Sequence, residues 1–129
     1  MNIKRFVGGN LESNGYIIYN HQGGPSYIID PGYNPKKYIN FIIEKELHLD
    51  GIILTHHHYD HVGGVDVIKN TFNCPVFMHF ADADQYKKNV DVLLSHGDII
   101  PFDGEDLVVL HTPGHTKGSI CIFSEKRCV

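Results

Sequence analysis

The chain has 129 residues, 42% hydrophobic and 20% charged, the balance of one soluble globular domain (1–129) and not of a disordered chain. A formal charge of -4, with no clustered Lys or Arg, offers no electrostatic footprint for nucleic acid. No window approaches the roughly 20 apolar residues of a membrane span, and the N-terminal MNIKRFVGGN lacks the apolar core of a signal peptide.

In chain order, IKRFVGG, GYIIYN and SYIID read as three consecutive strands separated by Gly, Asn, Ser and Pro punctuation. HQGGP, between the second and third, reads as a hairpin loop. The period then changes. Asn34 stands where an N-cap would, Pro35 fits a first helical position, and Ile39, Ile42, Ile43 and Leu47 recur at helical spacing. GIILT is a short continuous apolar run, the pattern of a strand buried on both faces. DHVGGVDVIKNTF predicts a loop and then a helix with Val65, Ile68 and Phe72 on one side. CPVFMH is strand-like, ADADQYKKN reads as an exposed helix, GEDLVVLHT as a strand, PGHTKG as a turn and SICIFS as a further strand. A meander followed by alternating strands and helices predicts an α/β (α+β) layered fold, a mixed sheet with helices on one face.

The apolar run ends in LTHHHYDHVGG, four histidines and one aspartate within six positions of a chain that has ten histidines in all. In an extended segment alternate residues share a side, so His56 and His58 can face one point. Where the chain turns, Asp60 and His61 can be redirected to a neighbouring point, which would suit two metal positions. Imidazole with carboxylate suits zinc, and also iron or manganese. The blander reading is a solvated histidine-rich loop. Against it, the cluster is internal and follows a buried-type strand, and such side chains are costly to bury unless something binds them. Gly63 and Gly64 allow backbone to pass close to a crowded site. A distant ligand is needed, and His115, in the Pro-Gly turn after LVVLH, is the candidate.

THHHYDHVGG together with HTPGHTKGSICIF resembles the metallo-β-lactamase-fold hydrolases, especially their glyoxalase II-like (hydroxyacylglutathione hydrolase-like) branch. NGYII and IIDPG follow the same pattern in order. The resemblance implies the N-terminal part of an αββα sandwich. It implies that His56, His58 and His115 bind a first metal and that Asp60 and His61 belong to a second. Asp60 would also orient the attacking water, and Asp30 would support the ligand loop from behind. His111, just before the ligand turn, is a further candidate for such support. The activity implied is hydrolysis of a small-molecule thioester or related acyl substrate by a metal-bound hydroxide, with one or two Zn2+ ions, or Fe or Mn.

The other histidines take plainer readings. His57 occupies the free position of the H-x-H pattern and is expected to point away from the metals, His79 is expected to be structural, and His21, His48 and His96 are expected to be solvated. Cys74, Cys121 and Cys128 are odd in number and form no CxxC pair, which predicts reduced thiols in a cytoplasmic protein, with Cys121 packed in a strand. The final SICIFS-EKR-CV reads as a hairpin that stops on its return, before the Asp and final His that the resemblance would supply. An incomplete domain of this kind predicts an exposed apolar sheet face, and hence self-association or pairing with a missing C-terminal half. Two further readings stand beside the hydrolase. One is a non-heme iron oxidoreductase of the same fold, persulfide dioxygenase-like; the other is a catalytically silent metal-binding fragment.

Overall fold

A computed structural model of the chain describes all residues except 10–12, 58–61, 87, 115, 125–126 and 129, and for 127–128 the backbone only. β1 (Asn2–Gly8), β2 (Ser13–Tyr19) and β3 (Pro25–Ile29) form an antiparallel meander. From β3 onward the connections carry helices, and the pairing becomes parallel. α1 (Pro35–Glu44) leads to β4 (His48–Leu54), α2 (Val65–Phe72) to β5 (Val76–His79), and α3 (Phe80–Tyr86) to β6 (Val92–Leu94). These six strands make one mixed sheet in sequential order, β1 to β6. β7 (Ile99–Phe102), β8 (Glu105–His111), β9 (Ile120–Ser124) and β10 (Arg127–Cys128) make a second, antiparallel sheet in the order β10-β9-β8-β7.

The continuous apolar runs explain the layering. Successive side chains of a strand leave on opposite faces, so neighbours in YII and IIL serve two cores at once. Ile17, Ile28, Ile52 and Leu54 join Tyr38, Ile42, Val65 and Ile68 under the helices. Ile18, Ile29 and Ile53 point the other way, against Ile100, Phe102, Leu107, Val109, Ile120 and Ile122 of the second sheet. Helices therefore cover one face of the first sheet, as the periodicity implies, and four strands of the same chain cover the other.

That second layer corrects the expectation of a bare sheet face. The inner face of the first sheet is not open, and on the second sheet the exposed apolar side chains lie on the outer face. Ile99 pairs with Val108 and Val108 with Phe123, and Ile99 and Phe123 are 56% and 37% exposed. β6 and β7 also lie in a stretch, VLLSHGDIIPF, with no clear periodicity to announce them. Each is only three or four residues long, too short for a pattern to accumulate.

Three local readings are also revised. Asn34 precedes the first turn of α1 but sits in the left-handed region, φ 51°, and its side chain makes no capping bond. Ile43 is 63% exposed, and Tyr38 takes its place beneath α1. Cys121 lies in a strand, β9, as expected, but is disulfide-bonded and not a reduced thiol, whereas Cys74 is a buried free thiol. No helix among the described residues is long and apolar enough to cross a membrane.

Candidate metal centre

The carboxyl ends of parallel strands are where layered α/β folds expose side chains to a ligand. β3 and β4 end side by side here. Asp30 follows β3 with φ 52°, a left-handed conformation that Asp tolerates better than most residues. Its amide donates to Ile53 O at 3.1 Å. This turn aims its carboxylate at the end of β4, where Oδ1 accepts the Thr55 amide at 2.7 Å and Oδ2 accepts the Thr55 hydroxyl. The same hydroxyl oxygen lies 2.9 Å from His56 Nδ1.

These contacts assign the tautomer of His56. A threonine hydroxyl has one proton, and Thr55 gives it to Asp30, so Oγ1 must accept a proton from His56 Nδ1. Nε2 then carries the lone pair, as a metal ligand requires. His56 itself is 8% exposed, so a chain of two hydrogen bonds fixes a nearly buried imidazole in its metal-binding form.

The far end of the loop is tied to the same turn. Gly64 donates its amide to Pro31 O at 2.7 Å, and a Cβ on Gly64 would stand 2.5 Å from that oxygen. Close approach of two backbones, and not an unusual φ, is what this glycine permits. Asp30 and Pro31 thus hold Thr55 on one side and Gly64 on the other. The candidates His58, Asp60 and His61 fall between them and lie outside the described residues, as does His115. Of the five metal-ligand candidates the structure therefore places His56 alone.

The turn that contains position 115 is framed by hydrogen bonds. Thr112 donates its amide to Ser119 O at 2.8 Å, and Thr116 donates its amide to Ser119 Oγ at 3.0 Å. The Ile120 amide reaches Thr55 O at 3.0 Å, joining the start of β9 to the end of β4. His111, at the end of β8, has Nε2 2.7 Å from Lys117 O, which makes Nε2–H the donor across the base of the turn. Its amide donates to Nδ1 of exposed His96 at 2.9 Å.

The polar helix α3 hides a residue that its sequence does not distinguish. Asp82 is 0% exposed. It accepts the His57 amide at 2.9 Å, His57 Nδ1–H at 3.0 Å, the Thr116 hydroxyl at 2.7 Å and the Gly118 amide at 2.7 Å. Burial pushes its carboxyl up, but the bonds from Thr116, His57 and Gly118 outweigh this and hold it below its ordinary value. Asp84, the other acidic residue of ADADQYKKN, is exposed, and nothing in that stretch separates Asp82 from it.

His79 closes this corner. It is 2% exposed and stacks on His111, ring centroids 4.2 Å apart and planes at 17°. Its Nδ1 accepts the Ala81 amide at 3.1 Å. Burial and the neighbouring His111 lower its pKa, against the opposing pull of Asp82 and Asp98. A folded-state pKa below the unfolded one means that the unfolded chain takes the proton first. Stability should therefore be full above the ordinary histidine pKa of about 6.5 and be lost as pH falls through the folded value. His79→Asn, which keeps an acceptor near Nδ1 but cannot charge, is expected to flatten the fall in melting temperature between pH 7.5 and 5. An unchanged slope would assign that fall to other groups.

Comparison with known proteins agrees with this architecture. The sequence pattern of the metallo-beta-lactamase superfamily matches residues 8–127. A hydroxyacylglutathione hydrolase of Klebsiella pneumoniae is 34% identical over 115 residues, which are 89% of this chain and 45% of the relative. The chain thus spans less than half the length of that enzyme. Among solved structures, the BLEG-1 B3 metallo-beta-lactamase superposes with a TM-score of 0.84 at 28% identity, covering 97% of this chain and 68% of its own. TTHA1623, solved in a di-iron-bound form, gives 0.79 at 28% identity, covering 94% and 66%. A pattern running through nearly the whole chain, joined to this fold, shows that the chain belongs to the metallo-β-lactamase superfamily.

Proposed function

We propose that this chain carries the metal-ligating part of a metal-dependent hydrolase of thioester or related acyl substrates. His56, His58 and His115 would hold one metal, and Asp60 and His61 would contribute to a second. The observation that carries this reading is the Asp30–Thr55–His56 chain, which presents His56 Nε2 as a lone-pair donor at the end of β4. A histidine-rich donor set of this kind fits zinc, with iron or manganese as alternatives. Bound there, the metal would supply Lewis acidity, activating water and polarising the acyl carbonyl. Asp30 holds the Nδ1 proton in place through Thr55, Asp60 would orient the attacking water, and His111 braces the base of the turn that carries residue 115. The small acyl substrate would approach at the ends of β3 and β4. The outer row of exposed Ile99 and Phe123, with half-buried Val108 between them, would be covered by a C-terminal half or by a second copy.

The test is metal content per chain, by mass spectrometry of the dialysed, monodisperse protein, with thioester hydrolysis assayed beside it. We expect about one zinc or more per chain, lost in His56→Ala, and hydrolysis above that of free metal. Absence of retained metal would sink the reading. Metal without turnover would leave a silent binding module. A second reading, a non-heme iron oxidoreductase, is favoured by the di-iron form of the similar TTHA1623; iron with oxygen consumption would put it first.

A further inference from the structure

We propose that Asp82 is a positioning residue. One buried carboxylate staples the stretch that starts at His56 to the turn that contains residue 115, so that both groups of ligand candidates keep a fixed separation. The inference rests on the reading of those histidines as ligands. Its geometry is independent of them.

Asp82 belongs to neither loop. It sits in α3, between β5 and β6, and its four hydrogen bonds divide evenly: two come from His57, one from Thr116 and one from Gly118. His57 lies between His56 and His58 in the chain, and Thr116 follows His115 directly. Desolvation strongly disfavours a fully buried carboxylate unless its lone pairs are met. Here they are met by donors from the two ligand-bearing segments, so moving either one leaves the charge undersatisfied. The Ile120–Thr55 bond joins the same two segments at their base, and Asp82 joins them further out.

Gly118 is shaped to this carboxylate. A Cβ there would stand 2.6 Å from the Asp82 amide nitrogen and 2.8 Å from Oδ1. Any side chain at 118 would therefore push Asp82 away, whatever the backbone angle. The same staple explains His57: its ring is turned to Asp82, with Nδ1–H as donor.

Asp82→Asn keeps the shape but must turn its amide NH2 towards at least one existing donor. Thr116→Val removes, at nearly constant volume, the hydroxyl that donates to Asp82 and lies 2.8 Å from Ser119 Oγ within its own turn. Asp91→Asn is the control. Asp91 also accepts a backbone amide, from Val76 at 2.8 Å, and pairs with Lys69 at 2.9 Å, away from both loops. Two readouts are needed: amide hydrogen exchange of the full chain by NMR, and affinity for Co2+ as the probe metal. In Asp82→Asn we expect the His57 and Gly118 amides to lose protection together, by about tenfold or more, while amides of β3 and β4 keep theirs. Co2+ affinity should fall about 10- to 100-fold. Thr116→Val should shift both in the same direction by less, and it carries the test if Asp82→Asn does not fold. Asp91→Asn should move neither. Loss of protection in only one loop, in neither, or in the whole fold equally, overturns the staple, as does unchanged Co2+ affinity in a variant whose loops have loosened. If the parent chain takes up no Co2+, the metal reading fails and the exchange data alone decide the staple.

Discussion

Asp30→Ala is expected to destabilise the metal-free chain by about 3–5 kcal/mol and to weaken metal binding about 10- to 100-fold. This carboxylate accepts bonds from the Thr55 amide and the Thr55 hydroxyl, and bonds to a charged acceptor are worth about 1.5–3 kcal/mol each. Asp30 is 5% exposed and Thr55 9%, so water does not readily replace what is lost. The left-handed φ of 52° adds a backbone cost of about 1 kcal/mol for alanine. Asp30→Asn should cost less, since asparagine accepts that conformation and keeps one acceptor. Urea titration of the apo proteins measures the difference, and metal competition measures the second effect. A loss under about 1 kcal/mol in Asp30→Ala would show that Thr55 finds another partner.

Phe102→Ala should have a stability effect of similar size, about 3–5 kcal/mol. Phe102 is fully buried between the two sheets, tilted against Tyr27 at 6.1 Å and 60°. Removing it opens a cavity at the centre of the layer that joins the sheets, and the total stability of a domain is only about 5–15 kcal/mol. Phe123→Ala is the companion. It lies in the same sheet, on the outer face, and should cost under about 1 kcal/mol in the monomer. Thermal melts of the two variants should therefore separate widely. Equal shifts would mean that the outer face is packed in solution, against a second copy of the chain, and a concentration-dependent melting temperature would show it.

Much of the fold was legible because it is written in neighbouring residues. Alternation within YII and IIL assigns side chains to opposite faces, Pro35 marks the start of α1, and the spacing of Val65, Ile68 and Phe72 marks the packed side of α2. The histidine pattern was equally visible, since its chemistry lies in residue type and close spacing.

Tertiary structure decided what depends on distant partners. ADADQYKKN reads as a solvated helix, yet Asp82 within it is buried. Its donors come from 25 residues before and 34 and 36 residues after it, a pairing no local period records. Gly64 and Gly118 look like turn residues in sequence; it is the approach of Pro31 to one and of Asp82 to the other that forbids a side chain. The strands β6 and β7 are too short to carry a pattern, and only the closing of the second sheet over the first gives Leu94, Ile100 and Phe102 a core to enter. By itself the sequence determined the alternation, the helix start and the chemical character of the histidine-rich stretch, because each is a property of adjacent side chains. The second layer, the tautomer of His56 and the burial of Asp82 arise only when segments far apart in the chain satisfy one another's hydrogen bonds and exclude water.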